Sequence, residues 1–149
     1  MKIAVAADHG GLHLKNKIKE YLQLNGYEIC DFGTNSTESC DYPDFALPAA
    51  EAVASGKCGR GVIVCTTGIG VSMVANKVPG IRCALCHDTF GAEMTRRHND
   101  ANVLAMGEKD VEAEKALEIV DTFLKTEFEG GRHQQRVDKI TAIEKKYGK

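Results

Sequence analysis

The sequence predicts an α/β protein, a three-layer α/β/α sandwich with a five-stranded parallel sheet and an additional C-terminal helix. Three observations support this class. Short apolar runs alternate with segments whose apolar residues recur at helical spacing, which is the pattern of strand–helix–strand units. The strand segments are continuously apolar, as in strands covered on both faces. The 149 residues show no repeat and no linker, which predicts a single domain over residues 1–149 with a Rossmann-like arrangement.

The first half of the chain contains three predicted strands and two predicted helices. Leu12, Ile18 and Leu22 lie at helical spacing until Gly26 interrupts the pattern. Proline near the start of the next helix is tolerated, because the first helical N–H groups have no partner. The third strand is short and wholly apolar, which predicts a central position. In order, the elements are strand Lys2–Ala7, helix Leu12–Gly26, strand Tyr27–Phe32, helix Phe45–Ser55 and strand Gly61–Cys65.

The second half continues the alternation and adds one helix. Gly130 and Gly131 interrupt the chain before that last helix. Two interpretations of it remain open: an arm that packs on a partner subunit, or a final helix that covers its own core. In order, the elements are helix Val71–Asn76, strand Ile81–Cys86, helix Asp88–His98, strand Val103–Met106, helix Val111–Phe128 and helix Arg132–Lys146.

Composition excludes several classes of protein. Hydrophobic residues make up 43% and charged residues 27%, as in ordinary globular proteins. A net charge of −2 without a basic block argues against nucleic acid as a partner. No apolar run approaches the ~18 residues of a membrane span, and the first residues predict a strand, not a signal peptide. The six cysteines are therefore expected as reduced thiols in the cytoplasm.

The residues directly after the strands are the candidates for chemistry, because parallel sheets bind ligands beyond the carboxyl ends of their strands. Cys65 ends the third strand and precedes Thr66-Thr67-Gly68-Ile69-Gly70, a turn that opens a helix. Backbone N–H groups and the helix dipole favour an anion there, hence a thiolate that can act as base or nucleophile. An isolated cysteine of this kind more often serves packing, but the adjacent glycine turn favours chemistry.

The turn fits none of three known anion-binding loops. A P-loop needs Gly-Lys-[Ser/Thr], which the sequence lacks. A dinucleotide fingerprint follows the first strand and has a third glycine where Met73 stands. A phosphatase-type cysteine loop needs arginine at the position of Val71. The remaining interpretations are a small nest of amides suited to an oxyanion, and a plain tight turn.

Other polar residues are candidates with ordinary alternatives. Asp8 and His9 follow the first strand, where a helix cap and a binding role are equally supported. His98 lies where the fourth predicted helix ends and a loop begins, and its charge could simply favour the helix C-terminus. Arg132 and Arg136 lie four residues apart on one helix face, and two guanidinium groups so placed suit a phosphate dianion. The alternative for the arginines is a solvated basic face.

The pair Cys83 and Cys86 has the spacing of redox and metal motifs. On a strand, however, residues three apart point to opposite faces, so both thiols cannot readily reach one ion. No second cysteine pair completes a zinc site. Core packing is the favoured interpretation.

Six ordered blocks resemble the type B ribose-5-phosphate isomerases, in the superfamily that also contains galactose-6-phosphate and allose-6-phosphate isomerases. The resemblance covers nearly the whole chain. The blocks are ADHGG at 7–11, DYPDFA at 41–46, the Cys65 turn with ANK at 75–77, GIR at 80–82, RRHNDANVLA at 96–105 and EGGRHQQR at 129–136. The resemblance implies an aldose–ketose isomerase, an intramolecular oxidoreductase, that interconverts D-ribose 5-phosphate and D-ribulose 5-phosphate through an enediolate. It also implies a cytoplasmic enzyme of the pentose phosphate pathway, without metal or cofactor.

The resemblance further implies roles for individual residues. Cys65 matches the catalytic base, and Val71 stands where other members carry a glutamate base, so the chain matches the thiolate branch. His98 matches the acid/base that opens the sugar ring, with Asn99 beside it. Residues 66–70 match the loop that holds the enediolate. The full substrate-binding set is Asp8, His9, Thr66, Thr67, Gly68, Ile69, Gly70, Asn99, Lys109, Arg132 and Arg136.

The same resemblance implies a homodimer, in some members a tetramer, with active sites shared across the interface. We therefore predict that Cys65 and His98 of one site come from different subunits. Alternatives remain open at this stage. The same chemistry could act on allose 6-phosphate or galactose 6-phosphate. A non-catalytic sugar-phosphate sensor and a thiol redox protein are alternatives of other classes.

Overall fold

The computed structural model describes residues 1–148. Its single sheet contains five parallel strands in the order β2-β1-β3-β5-β4. This confirms the predicted α/β fold and the central position of β3. The strands are β1 (Lys2–Ala7), β2 (Glu28–Asp31), β3 (Arg60–Cys65), β4 (Cys83–Leu85) and β5 (Val103–Gly107).

Helices cover both faces of the sheet, as continuously apolar strands require. On one face α1, α4 and α5 bury an apolar core with alternate strand residues, while α2 and α3 do so on the other. Along β1, for example, Ile3 and Val5 enter the first core and Ala4 enters the second. The helices are α1 (Leu12–Leu24), α2 (Pro43–Ala54), α3 (Ile69–Ala75), α4 (Thr89–Asn99), α5 (Ala113–Lys125) and α6 (Arg132–Tyr147).

Two helices begin earlier than predicted, for local reasons. α2 begins at Pro43, because proline at the first helical position sacrifices no hydrogen bond. α3 begins at Ile69, directly after Gly68 in the left-handed conformation, so part of the glycine turn is already helical. α5 is shorter than predicted and ends at Lys125. The site-bearing strand end, Cys65, lies where it was predicted.

The last helix buries side chains along its first half and contacts its own chain again near its end, where Glu144 accepts the Gly80 N–H at 3.1 Å. His133 and Val137 of α6 are buried, and α6 contacts α4. Ile140 and Ile143, further along, are 48% and 59% exposed. The packing of α6 on α4 agrees with a helix that covers its own core. An arm on a partner subunit stays a prediction. Among the described residues, no helix has the length and apolar character needed to cross a bilayer.

Candidate active site

The Cys65 thiol lies at the carboxyl end of the central strand and is 5% exposed. Its Sγ accepts a hydrogen bond from the Gly68 N–H at 3.1 Å. Gly68 has a φ of +79°, and a Cβ there would lie 2.7 Å from the backbone of Met106. Only glycine fits this position without strain. The turn thereby brings a backbone N–H donor against the sulfur.

A cleft of about 410 Å³ opens in front of the sulfur. The Asp8 side chain reaches it from β1, the neighbour of β3, and is itself largely buried. Its Oδ1 accepts the Gly10 N–H at 2.9 Å, which holds the carboxylate in place. The structure thus brings together most of the predicted residues of this sheet edge. The cleft is lined by Asp8, Tyr42, Cys65, Thr66, Thr67, Ile69, Gly70 and Met73.

Two residues that the sequence did not predict also line this cleft, Tyr42 and Met73. The Tyr42 ring lies so close to the turn that a Cβ on Gly70 would approach it to 2.6 Å. Glycine at position 70 therefore makes room for an aromatic wall. The signal that the sequence offers for Tyr42 is the block DYPDFA.

His9 and Lys109 lie around the cleft without lining it. The Cys40 N–H donates to His9 Nδ1 at 3.2 Å, which orients an exposed imidazole. The Lys109 backbone N–H donates to the Thr66 carbonyl at 3.1 Å, so the loop after β5 is attached to the cysteine turn. The Lys109 side chain is exposed. We call Asp8, His9, Cys65–Gly70 and Lys109 the thiol half-site.

His98 and Asn99 are the last two residues of α4, which extends one residue beyond its predicted end at His98. α4 starts at the carboxyl end of the strands and runs back for roughly 16 Å, since each of its 11 residues rises about 1.5 Å. Arg82, just before β4, donates to the carbonyl oxygen of Asn99 at 2.9 Å. His98 therefore lies at the amino edge of the sheet, opposite Cys65. One chain does not bring these two residues together.

The His98 ring stacks on His133 of α6, with centroids 4.2 Å apart and planes 11° from parallel. Glu129 Oε1 lies 3.3 Å from His133 Nε2 and 3.9 Å from His98 Nε2. A hydrogen bond from Arg97 lowers the pKa of Glu129. Burial and the neighbouring His98 lower the pKa of His133. We call His98, Asn99, Arg132, His133 and Arg136 the histidine half-site.

The donors of His98, Glu129 and His133 lie within 4.8 Å of one another, the one such group in residues 1–148. A metal ion needs ring nitrogens whose lone pairs converge on it. Stacked rings direct their lone pairs in parallel planes, so both imidazoles would have to rotate. The arrangement does not suit a metal ion.

Cys83 and Cys86 behave as core residues. Within residues 1–148 all six thiols are free. Cys83 packs in the core on the α2 side of the sheet, and Cys86 packs in the core on the other side. Burial raises the pKa of Cys83 to about 12 and that of Cys86 to about 11, so neither is a ready thiolate. The predicted packing role of this pair is confirmed.

Known proteins resemble the chain over nearly its whole length. The solved structure of ribose-5-phosphate isomerase B from Clostridium thermocellum has a TM-score of 0.98 and 58% identity, covering 99% of this chain and 100% of that one. Ribose-5-phosphate isomerase B of Escherichia coli is 48% identical over 97% of both chains. D-erythrulose-4-phosphate isomerase of Pectobacterium atrosepticum is 45% identical over 94% of this chain and 93% of that protein.

The fold and these relatives define the class of the protein: it is an aldose–ketose isomerase. The family model described as Ribose/Galactose Isomerase matches residues 3–140. The chain belongs to the ribose/galactose isomerase family. The resemblance seen in the six sequence blocks is thereby confirmed.

Proposed function

We propose that the protein interconverts D-ribose 5-phosphate and D-ribulose 5-phosphate in the pentose phosphate pathway of the cytoplasm. The observation that carries the proposal is the Cys65 sulfur, held by the Gly68 N–H at the base of a cleft beside Asp8. The relatives from Clostridium thermocellum and Escherichia coli, both ribose-5-phosphate isomerases, support this substrate. Free thiols are those expected in a reducing compartment.

The chemistry is proton transfer between two carbons. The Cys65 thiolate removes the proton from C2 of the open aldose, which leaves an enediolate. The resulting thiol returns a proton to C1, and the sulfur is again a thiolate. A second proton leaves O2 and arrives at O1, so that the carbonyl moves from C1 to C2. The Asp8 carboxylate lies at the same cleft and is suited to transfer this oxygen-bound proton.

Charge on the enediolate oxygens is stabilised by the turn after β3. Thr66, Thr67 and Gly70 line the cleft, and the turn ends in the first residues of α3. Its amide groups are fixed by the fold before substrate arrives, so they stabilise the anion without reorganisation. Loss of one such donor costs ~3 kcal/mol in other enzymes. The small side chains also allow a sugar to approach the sulfur.

Ring opening requires a second group, and His98 is the proposed acid/base. Because His98 and Cys65 lie at opposite edges of one sheet, we propose that a second subunit supplies His98 to each thiol. Exposed apolar residues support a subunit interface near both half-sites. Ile69 and Met73 are 48% and 63% exposed beside the cleft, and Ile140 and Ile143 are exposed on α6. The proposed assembly is a homodimer, or a tetramer built from two such dimers.

Arg132 and Arg136 are the proposed phosphate ligands. Both are exposed on the first two turns of α6, where Arg132 precedes the buried His133 in sequence and Arg136 follows it. Their guanidinium groups can each offer two parallel N–H donors to phosphate oxygens. His9 and Lys109 are the corresponding candidates on the thiol half-site. Phosphate binding at a distance from the reacting carbons supplies energy that holds C1 and C2 against the sulfur.

Substrate length is the main alternative within this chemistry. A relative at 45% identity is a D-erythrulose-4-phosphate isomerase. Allose 6-phosphate and galactose 6-phosphate are longer than ribose 5-phosphate and would require a deeper site. A sugar-phosphate sensor would bind these compounds without turnover. A redox role for Cys83 and Cys86 is disfavoured, because they lie in opposite cores.

The test is an isomerisation assay on four-, five- and six-carbon aldose phosphates, with a chelator present and in deuterated water. We expect the highest kcat/KM on D-ribose 5-phosphate, no effect of the chelator, and deuterium at C1 of the ketose. Binding without turnover of any of the substrates would indicate a sensor. A ketose free of deuterium, in which the hydrogen from C2 of the aldose is retained at C1, would contradict proton transfer through a solvent-exchanging thiol.

A further inference from the structure

We propose that His133 is a positioning residue for ring opening: its stacked imidazole fixes the plane in which His98 presents its nitrogens to the sugar. This inference rests on the proposed acid/base role of His98. It assigns to the buried histidine of α6 a part in the reaction that the substrate-binding set predicted from the sequence does not include.

The geometry of the two rings carries the inference. The His98 side chain is 42% exposed and lies in the last turn of a helix, and exposed side chains of this kind exchange between rotamers within nanoseconds. The His133 side chain is only 10% exposed and lies in the first turn of α6. Face-to-face contact at 4.2 Å with planes 11° apart holds the His98 ring in one plane. A mobile acid/base group would lower the rate of ring opening, because proton transfer requires a donor and an acceptor that are already aligned.

The backbone holds the two rings in one rigid unit. The Glu129 N–H donates to the Arg97 carbonyl at 3.1 Å, which attaches the segment before α6 to the end of α4. The Arg97 side chain donates to Glu129 Oε2 at 3.3 Å. The stack is therefore built within one chain, and it precedes any contact with a partner subunit.

The charges around His98 and His133 favour a state in which only one of the two rings is protonated. Glu129 is the carboxylate that faces both rings, while Arg97, Arg132 and Arg136 contribute positive charge from α4 and α6. Burial, His98 and the two arginines of α6 lower the pKa of His133, and Glu129 only partly opposes them. Two imidazolium rings in contact would repel each other. His133 therefore serves as a neutral platform, and His98 is the ring that exchanges the proton.

The test compares His133→Ala, which removes the platform, with His133→Phe, which keeps a flat ring of similar size. His13→Ala, at an exposed histidine of α1, is the matched control. On D-ribose 5-phosphate we expect kcat/KM to fall by about ten- to a hundredfold in His133→Ala. This is less than the full contribution of a general acid–base group, because His98 itself remains. We expect His133→Phe to stay within about threefold of the parent, because stacking alone holds His98.

A kinetic isotope effect separates positioning from general damage. The substrate for this test is D-ribose 5-phosphate deuterated at C2. If ring opening is slow in His133→Ala, cleavage of the C2–hydrogen bond no longer limits the rate. The isotope effect on kcat/KM should then fall to one or stay near one. An isotope effect that rises would show that the variant harms the Cys65 step and would overturn the proposal. Equal losses in His133→Phe and His133→Ala, or no loss in either, would overturn it as well.

An NMR titration tests the stack without activity. In His98→Gln the like charge beside His133 is gone, so the pKa of His133 should rise relative to the parent. An unchanged pKa would contradict coupling of the two rings. A parent without activity on D-ribose 5-phosphate would refute the proposed function, whereas an active parent with an unaffected His133→Ala variant would refute only this inference.

Discussion

The Gly68 N–H donates to Cys65 Sγ across 3.1 Å, so the turn that opens α3 is attached to the sulfur that it follows. The left-handed φ of +79° at Gly68 makes this contact possible. One glycine thus links the backbone of the turn to the proposed base, and this link can be tested without altering the sulfur.

Replacement of Gly68 by Ala should destabilise the protein by about 3 kcal/mol and lower kcat at least tenfold. A Cβ there would meet the Met106 backbone at 2.7 Å, so the turn must move away from the sulfur. Gly56→Ala is the matched control, because Gly56 has a φ of +83° but open space around it. It should cost about 1 kcal/mol and leave kcat unchanged. Urea unfolding and steady-state kinetics measure both; equal loss of activity in the two variants would contradict this account.

Cys65→Ala should lower kcat by a factor of about 10³ or more while phosphosugar binding persists, because the base is lost but the phosphate ligands remain. Cys30→Ala, on the edge strand β2, should retain activity. Calorimetric titration with the substrate and a turnover assay separate the two effects. Retained turnover in Cys65→Ala would remove the sulfur from the mechanism.

Mixed dimers of Cys65→Ala and His98→Ala chains should regain about a quarter of the parent activity. Random pairing makes half of the dimers hybrids, and in a symmetric dimer each hybrid has one intact site of two. Each variant alone should be nearly inactive. Mass spectrometry confirms subunit exchange, and a mixture that exchanges but stays inactive would place both groups within one chain.

His98→Gln should impair turnover of D-ribose 5-phosphate far more than that of D-erythrose 4-phosphate. The four-carbon compound has its C4 oxygen bound to phosphate and cannot close a furanose ring, so it bypasses ring opening. We expect a loss of about a hundredfold or more on the five-carbon substrate and less than about threefold on the four-carbon one. Equal losses on both substrates would assign His98 to a later step.

Stability in acid should depend on Asp31. Burial alone would raise its pKa, but Lys15, the Gly33 N–H and Lys19 together lower it below the ordinary value. The buried Lys15 Nζ lies 2.9 Å from Asp31 Oδ1 and donates to the Thr34 carbonyl at 2.6 Å.

Because the folded-state pKa of Asp31 is the lower one, the unfolded chain binds more protons as the pH falls. The stabilisation by Asp31 is thus complete above pH ~4 and is lost as the pH falls through the folded-state pKa. Urea unfolding should show Asp31→Asn less stable than the parent at pH 7, with a smaller difference near pH 3. Glu51→Gln, at an exposed carboxylate, should show no such change. A difference that is constant with pH would rule out this ion pair as the cause.

Local signals were enough to predict most of the elements. The apolar run of β3 ends at Cys65 as predicted, because a strand covered on both faces requires continuous apolar residues. The helix bounds were less accurate. Pro43 was predicted to precede a helix and is its first residue, and α4 ends at Asn99, one residue beyond its predicted end. Helix ends depend on caps and tertiary contacts that spacing alone does not reveal.

The sequence by itself determined the parallel α/β sheet, the thiol before a glycine turn and the family, since each depends on residues close together in the chain. Only the tertiary structure decided which of these residues meet. Strand order brings Asp8 to Cys65, and the antiparallel return of α4 takes His98 to the opposite edge and stacks it on His133. Such contacts join residues far apart in sequence, and they arise from the packing of whole elements, which no local pattern encodes.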